Sequence, residues 1–202
     1  MRYTGPKVKK ARRLGMAFTP KDVKILQKRN FAPGQHGQSR SRLSEYGLQL
    51  REKQKAKIAY GIMERQFETY FNRALKQTGV TGDNLLKLLE YRLDNIVFRL
   101  GFAETRAQAR QLVSHGFFEV NGKSVNIPSY SVKVGDSISI RQVKQKKAYI
   151  EKIKEKLKNF KPLDWLQLNP NELKGKMVSA PEVDSLGAEI NTQLIVEHYS
   201  RT

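Results

Sequence analysis

Two arginines one helical turn apart are the side chains of this sequence best suited to bind an anion. Arg106 and Arg110 share one face of a predicted helix that ends at Gly116. Thr105 and Gln108 have the spacing of a capping box, in which two side chains satisfy backbone N–H groups at the helix start. A helix start favours a phosphate, and arginines beside it add forked donors. The pattern predicts a phosphate contact, with a solvated surface pair of arginines as the alternative.

The sequence offers no constellation of residues for catalysis or metal binding. It has no cysteine, which excludes disulfides, thiolate zinc sites and cysteine nucleophiles. His36, His115 and His198 lie far apart, and none has metal-ligand spacing to another histidine or a carboxylate. The Gly-Gln-His-Gly run at residues 34–37 lacks the Lys-Ser/Thr ending of a P-loop. We therefore predict that the protein is not an enzyme and needs no metal or other cofactor.

Positive charge is concentrated in two short stretches of the chain. The formal net charge is +19, of which residues 1–42 carry +11 and residues 141–161 carry +7. Residues 43–140 carry +4 and residues 162–202 carry −3. Such an excess raises self-repulsion unless a polyanion neutralises it. With neither a membrane-length apolar run nor a hydrophobic signal segment, the sequence predicts a cytosolic protein that binds nucleic acid.

The two basic stretches differ in their capacity to fold. Residues 1–42 have too little apolar surface to fold alone, so we expect an arm that orders on nucleic acid, with a flexible solubilising tail as the alternative. In the second stretch, Ile150, Ile153 and Leu157 have helical spacing and lysines surround them. We favour a helix that contacts RNA or packs on the protein over one on a membrane, because its apolar face is narrow and lacks tryptophan.

Helical spacing of apolar residues dominates the middle of the chain. Residues 44–75 predict two helices that bend near Gly61. Residues 85–100 repeat leucine or isoleucine every three or four positions, which predicts one helix that starts near Asp83 or Asn84 and stops at Gly101.

After the helix that ends at Gly116, the apolar spacing changes from helical to alternating. Residues 118–120 alternate, and Asn121-Gly122 is a strong hairpin signal with residues 125–127 as the return strand. Residues 132–140 alternate again around a Gly-Asp turn. We predict a small, strongly turned sheet of about four strands. The apolar residues 194–196 fit either a helix or a strand.

Eight runs of sequence, in order and nearly end to end, match one family pattern. They are RYTGPK (2–7), APGQHG (32–37), YGLQLREKQK (46–55), YGIMERQF (60–67), TGDNLLKLLEYRLDNIVFRLGF (81–102), TRAQARQLVSHG (105–116), VNGKSVNIPSY (120–130) and LIVEHYS (194–200). Together they make the chain resemble the bacterial-type S-four family of small-subunit ribosomal proteins.

The resemblance implies an α+β fold in which one domain is inserted into another. A basic extension, residues 1–42, would precede a mainly helical first domain formed by residues 43–90 and 162–202. The inserted RNA-binding domain, residues 91–161, would pack two helices on a small, highly turned antiparallel sheet and end in the basic helix. Many relatives bind zinc through four cysteines in the extension. This chain has none there, so we predict no zinc and an extension ordered by ribosomal RNA.

The resemblance also implies a function and partners. Family members bind the five-way junction in the 5′ domain of small-subunit ribosomal RNA early in assembly and help to nucleate the body of the subunit. With ribosomal proteins S-three and S-five they line the channel through which messenger RNA enters. With S-five, and with a functional link to S-twelve, they influence translational accuracy, and some repress translation of their own operon. We expect a cytoplasmic ribosomal protein that is neither membrane-bound nor homo-oligomeric, with an organellar stroma or matrix left open.

Residue chemistry and the resemblance together predict an RNA-binding set drawn from the extension, one helix face and the inserted domain. The set is Arg2, Tyr3, Lys7, Gln35, His36, Arg51, Lys53, Lys55, Lys57, Arg65, Arg92, Arg106, Arg110, Gln111, His115, Asn121 and Lys123. The alternative function is a free-standing RNA chaperone or translational regulator with the same domain. Matches at Gln35-His36 and residues 51–55, outside that domain, favour the ribosomal interpretation.

Overall fold

The computed structural model describes residues 5–39, 42–145, 148–182 and 190–201. The described part of the chain forms two compact units, which divide between Asp83 and Asn84. The C-terminal residues 190–201 belong to the first unit, so the second unit is an insertion in the first.

Helices occur in both units, whereas the strands of the described residues all lie in the second. The helices are α1 (Lys7–Leu14), α2 (Pro20–Lys28), α3 (Glu45–Ala59), α4 (Glu64–Leu75), α5 (Thr81–Glu90), α6 (Leu93–Arg99), α7 (Arg106–Ser114), α8 (Gln142–Gln145), α9 (Ala148–Leu157) and α10 (Thr192–Ser200). The strands are β1 (Phe118–Val120), β2 (Lys123–Ser124), β3 (Ser137–Ile140), β4 (Leu166–Asn169) and β5 (Lys174–Met177). The α+β class predicted from the sequence is confirmed. No helix in the described ranges is both long and apolar enough to cross a membrane.

The predicted pair of helices between residues 44 and 75 is confirmed as α3 and α4. Ser44 caps α3 by accepting a hydrogen bond from the Gly47 N–H at 3.2 Å. The chain turns at Gly61, whose φ of 64° lies in the left-handed region that favours glycine. Phe67 and Phe71 form the buried side of α4 with Tyr70 and Ala74.

The basic N-terminal stretch, expected as an arm that orders on nucleic acid, contains two helices in the structure. Thr19 and Asp22 form a capping box at the start of α2. Arg12 on α1 donates from Nε to the Phe31 carbonyl at 3.1 Å and lies over the Phe31 ring at 4.9 Å. Ala11 is fully buried, and α1 also contacts α3. Contacts with the rest of the first unit therefore supply apolar burial that this stretch lacks in isolation.

The C-terminal apolar residues form a helix, α10, that completes the first unit. Asn191 caps it by accepting from the Gln193 and Leu194 N–H groups. Ile195 is fully buried, and α10 packs against α3, where Gln49 donates to Glu197 at 3.1 Å. The alternative left open for residues 194–196 is thus decided in favour of helix.

The predicted single helix over residues 83–100 is wrong, because α5 and α6 are separated at Tyr91 and Arg92. Arg92 forms an isolated antiparallel bridge with Ser131. The Val132 N–H donates to the Tyr91 carbonyl at 2.9 Å. Pairing with a distant segment therefore replaces two residues of helix. The apolar stripe nevertheless continues across the break, since Leu85, Leu89, Leu93, Ile96 and Leu100 are all fully buried.

The second unit contains a five-stranded antiparallel sheet in the order β2-β1-β3-β5-β4. The predicted hairpin turn is confirmed at Asn121 (φ 50°) and Gly122 (φ 77°). The predicted strand at residues 132–134 is not formed. Instead β5 pairs with β3, with Ile138 opposite Gly175, so residues 166–177 lie in this sheet although they were expected in the helical domain. A Cβ on Gly175 would lie 2.4 Å from Leu100 Cδ1, which explains the glycine.

The basic helix α9 packs on the second unit through its predicted apolar stripe. Ile150, Ile153 and Leu157 are buried. The Tyr149 hydroxyl donates to the Phe102 carbonyl at 3.2 Å, and burial, with the charge of Glu104, raises the pKa of Tyr149 to about 12. The helix is therefore anchored by one face, while lysines 152, 154, 156 and 158 are exposed.

Candidate nucleic-acid interface

A network of arginines and carboxylates lies where α5, α6 and α7 meet in the second unit. Glu90, the last residue of α5, is fully buried. Arg99 on α6 donates two hydrogen bonds to the Glu90 carboxylate, from Nη2 to Oε1 at 2.8 Å and from Nε to Oε2 at 3.1 Å. Asn95 donates to Glu90 Oε2 at 2.6 Å. A buried carboxylate needs such donors, since an unpaired charge in the interior is strongly unfavourable.

Arg92 belongs to the interior of this network, so its place in the predicted RNA-binding set needs correction. Its side chain is 1% exposed and forks onto Asp94, with Nη2 to Oδ2 at 2.6 Å and Nε to Oδ1 at 3.0 Å. A guanidinium this deeply buried cannot reach a phosphate without unfolding its surroundings. We therefore assign Arg92 a structural role and remove it from the proposed interface.

Arg106 and Arg110 lie on α7 at the edge of the network and keep about a quarter of their side-chain surface exposed (22% and 24%). Arg106 donates from Nε to Asn95 Oδ1 at 2.8 Å and lies 4.7 Å above the centre of the Phe98 ring. Arg110 Nη1 is 3.8 Å from Asp94 Oδ2. Both guanidiniums are held in place by the protein and still open to solvent, which suits phosphate binding.

The capping residues place these arginines in the first two turns of α7. The Thr105 hydroxyl accepts from the Gln108 N–H at 3.2 Å, as predicted. In a full capping box the Gln108 side chain would accept from the Thr105 N–H. Here it accepts from the N–H of the preceding residue, Glu104, at 2.9 Å. The cap nevertheless defines where α7 begins.

The remaining predicted residues of the second unit are exposed. Gln111 and His115 lie on and just after α7, and Lys123 begins β2. Asn121 is exposed but structurally engaged, because its amide donates to Asp136 at 2.8 Å and accepts from the Ser137 N–H at 2.9 Å. The hairpin turn is thus held rigid while Lys123 beside it stays accessible.

In the first unit, the predicted basic residues of α3 are largely paired with carboxylates of the chain. Lys53 and Lys57 contact the two oxygens of Glu64 at 2.9 and 2.8 Å. Lys55 contacts Glu52 at 2.6 Å. Lys53 is only 8% exposed, which leaves it little surface for RNA. Arg51 differs, because its Nε is buried without a hydrogen-bond acceptor among the described residues.

The other predicted residues of the first unit are exposed or lie outside the described ranges. Lys7, Gln35, His36 and Arg65 are exposed. Gln35 and His36 lie in a tight turn in which a Cβ on Gly37 would stand 1.9 Å from the Ala32 carbonyl oxygen. Arg2 and Tyr3 lie outside the described residues.

Glu64 ties α3, α4 and α10 together, and its titration is testable. It also accepts the Tyr199 hydroxyl at 3.0 Å, while Tyr199 stacks on Phe71 at 4.3 Å. Burial opposes ionisation of Glu64, but hydrogen bonds and charge from Lys57 and Lys53 outweigh it and lower the pKa of Glu64 to about 2. Burial and Glu64 in turn raise the pKa of Tyr199.

Because the pKa of Glu64 is lowered on folding, its contribution to stability is present above pH 4.5 and is lost as the pH falls towards 2. Glu64→Gln should lower the free energy of unfolding at pH 7 by about 1 kcal/mol, a value reduced for solvent screening because the side chain is 44% exposed. Urea unfolding at several pH values tests this, with the exposed Glu68→Gln as control. A difference between wild type and variant that persists unchanged at pH 2 would contradict it.

Residues that sequence reasoning missed complete the arginine network. Glu90, Asp94, Asn95 and Arg99 were assigned no role, because within a helical stripe their polar side chains resemble solvated surface positions. Glu90 and Asp94 are four residues apart, which in one continuous helix would place them on the same face. Because the chain breaks between α5 and α6, this spacing does not indicate where the two side chains lie. Among the described residues, no group of three or more histidine or acidic side chains is arranged to hold a metal ion.

Comparisons with known proteins cover nearly the whole chain. The family model for the ribosomal protein S4/S9 N-terminal domain matches residues 2–90, and that for the S4 domain matches residues 92–138. The small ribosomal subunit protein uS4 of Chloroflexus aurantiacus is 52% identical over 99% of both chains. Those of Roseiflexus castenholzii and Chlorobium limicola are 53% and 51% identical, again over 99% of both chains.

The chain belongs to the uS4 family. It is therefore a ribosomal protein with an S4 RNA-binding domain, and not an enzyme. In this uS4 family member the two segments matched by the domain models meet at the break between α5 and α6. Glu90 is the last residue of the first segment, and Asp94 lies near the start of the second. The arginine network thus joins the ends of the two matched segments through side chains.

Proposed function

We propose that the protein is a structural constituent of the small ribosomal subunit. In this role it binds the multi-helix junction in the 5′ domain of the subunit's RNA and nucleates assembly of the body. The observation that carries the proposal is the pair of partly exposed arginines, Arg106 and Arg110, held in the first two turns of α7. In the arginine network four arginines make ion pairs with the two carboxylates Glu90 and Asp94, and the guanidiniums of Arg106 and Arg110 are the ones that also reach solvent, where a phosphate can approach them.

Structured RNA fits this surface better than a small anion does. A-form helices are recognised mainly through phosphates and shape, which positioned guanidiniums and a rigid turn can match. The exposed lysines of α9 and Lys123 add further positive charge in the same unit. Their spread over several elements suits an extended polyanion with many phosphates.

The finer parts of the proposal rest on family membership. We include a position beside S-three and S-five on the channel through which messenger RNA enters, and support of translational accuracy with a functional link to S-twelve. The free-standing RNA chaperone or translational regulator is the competing function. It uses the same arginines, but it binds RNA transiently and is absent from assembled subunits.

Sedimentation of cell lysate through a sucrose gradient tests the proposed role. We expect the tagged protein to co-sediment with small subunits at one copy per subunit and to resist a high-salt wash. Depletion of the protein should lead to accumulation of particles that lack the body. Recovery mainly near the top of the gradient, at substoichiometric levels in the subunit peak, would favour the regulator.

A further inference from the structure

We propose that the buried carboxylates Glu90 and Asp94 are positioning residues for RNA binding, although neither can touch RNA. The inference rests on the proposed function, because it concerns the same arginines. Glu90 is 0% exposed and the Asp94 side chain 5% exposed, so a phosphate cannot approach either of them. Their effect on RNA must therefore pass through the side chains that they hold.

A short chain of hydrogen bonds connects Glu90 to Arg106. Glu90 Oε2 accepts from Asn95 Nδ2 at 2.6 Å, and Asn95 Oδ1 accepts from Arg106 Nε at 2.8 Å. Asn95 Nδ2 also donates to the Glu90 main-chain carbonyl at 3.2 Å, so the side chain and the main chain of Glu90 together orient the Asn95 amide with its oxygen towards the guanidinium. Asp94 acts more directly, with Oδ2 at 2.6 Å from Arg92 and 3.8 Å from Arg110.

The energetic reason for such an arrangement is the conformational freedom of arginine. A free arginine side chain loses about 2 kcal/mol of rotamer entropy when a phosphate immobilises it. A guanidinium already held by the protein loses less on binding, which increases affinity without a new contact. The Phe98 ring below Arg106 restricts it further.

The positioning role and a purely electrostatic effect predict opposite changes in RNA affinity when a carboxylate is removed. If only charge mattered, removal of a negative group near the phosphates would strengthen RNA binding. If Glu90 positions Arg106, its removal weakens binding. In Glu90→Gln the amide nitrogen is a donor and accepts no hydrogen bond. At the Oε2 position it would take the acceptor from Asn95 and from Arg99 Nε, and at the Oε1 position it would take the acceptor from Arg99 Nη2. Either orientation sets donor against donor in the network that holds Asn95.

The test measures binding of the full-length protein to a transcript of the 5′ domain of small-subunit ribosomal RNA. We expect Glu90→Gln and Asp94→Asn each to lower affinity by about tenfold. Glu172→Gln is the matched control, because it removes the same charge from an exposed site in the same unit, and it should leave affinity unchanged or slightly raised. Equal or tighter binding by a folded Glu90→Gln variant would overturn the proposal.

A double-mutant cycle separates positioning from a loss of folded protein. In an Arg106→Ala background Glu90→Gln should have no further effect on affinity, whereas a merely structural role would lower affinity in both backgrounds. If Glu90→Gln does not fold, Asn95→Ala serves in the same cycle, because it removes the Arg106 acceptor without burying an unpaired charge. If Arg106→Ala itself leaves RNA binding unchanged, the proposed interface is wrong. If Arg106→Ala weakens RNA binding but Glu90→Gln has the same effect with and without Arg106, the interface is supported and the positioning role of Glu90 is wrong.

Discussion

Replacement of Arg106 and Arg110 together by alanine is expected to weaken binding of a 5′-domain transcript by about 100-fold. Each guanidinium would lose a charge-assisted hydrogen bond, which contributes about 1.5–3 kcal/mol when one partner is ionic. Each phosphate contact releases counterions from the RNA and contributes about 0.9 to the steepness of log affinity against log salt on a duplex. Loss of two contacts should therefore make this slope shallower by about 1.8. Titrations between roughly 50 and 200 mM salt measure both quantities.

A control for this variant must remove the same charge from the protein. Arg73→Ala combined with Lys76→Ala does so at the end of α4, where both side chains are exposed and neither belongs to the predicted set. We expect little change in affinity and an unchanged salt slope for this pair. A slope that stays at the wild-type value in the Arg106 and Arg110 variant would show that these arginines do not contact RNA phosphates.

Arg92→Met should destabilise the protein by about 3 kcal/mol while leaving RNA affinity of the folded protein within about twofold. The substitution removes the two short contacts that neutralise Asp94 and leaves a buried carboxylate with Arg110 at 3.8 Å. Breaking one side of a buried ion pair is costly because the remaining charge is both desolvated and uncompensated. Thermal and urea unfolding measure the loss, and RNA binding is measured well below the unfolding temperature.

Arg92→Lys provides the graded comparison for this second prediction. Lysine retains the charge but cannot reproduce the fork onto both oxygens of Asp94, so an intermediate loss of stability is expected. If the Arg92 variants instead kept near-normal stability and lost much of their RNA affinity, Arg92 would belong to the RNA-binding surface. That result would contradict its assignment to the interior.

Local chemistry made several elements of this fold predictable from the sequence. The Thr105 cap, the glycine turn at Gly61 and the Asn121-Gly122 hairpin each depend on a few adjacent residues, and each was correctly located. Non-local pairing accounts for the errors. The break at Arg92 depends on Ser131, and β5 depends on β3, because its Lys-Gly-Lys-Met sequence has too few apolar side chains to indicate a strand.

The candidate site shows the same division. Basic side chains were recognised by type, but their type does not reveal burial or pairing. Lys53 and Arg92 have the same sequence character as Arg106, yet the fold places the first two against Glu64 and Asp94. The importance of Glu90 was equally hidden, since a single acidic residue in a leucine-rich stripe has no distinguishing pattern.

The position of α10 has a consequence for the order in which the newly made chain can fold. Gln49 and Glu197 are 148 residues apart in sequence, and the stacked pair of Phe71 and Tyr199 is nearly as widely separated. Because synthesis proceeds from the N-terminus, every described element of the inserted unit is translated before α10 is. The face of α3 that packs against α10 therefore stays uncovered until the inserted unit and then α10 have been synthesised. A chain that lacks α10 would leave α3 and α4 of the first unit without the contacts of Gln49 with Glu197 and of Phe71 with Tyr199.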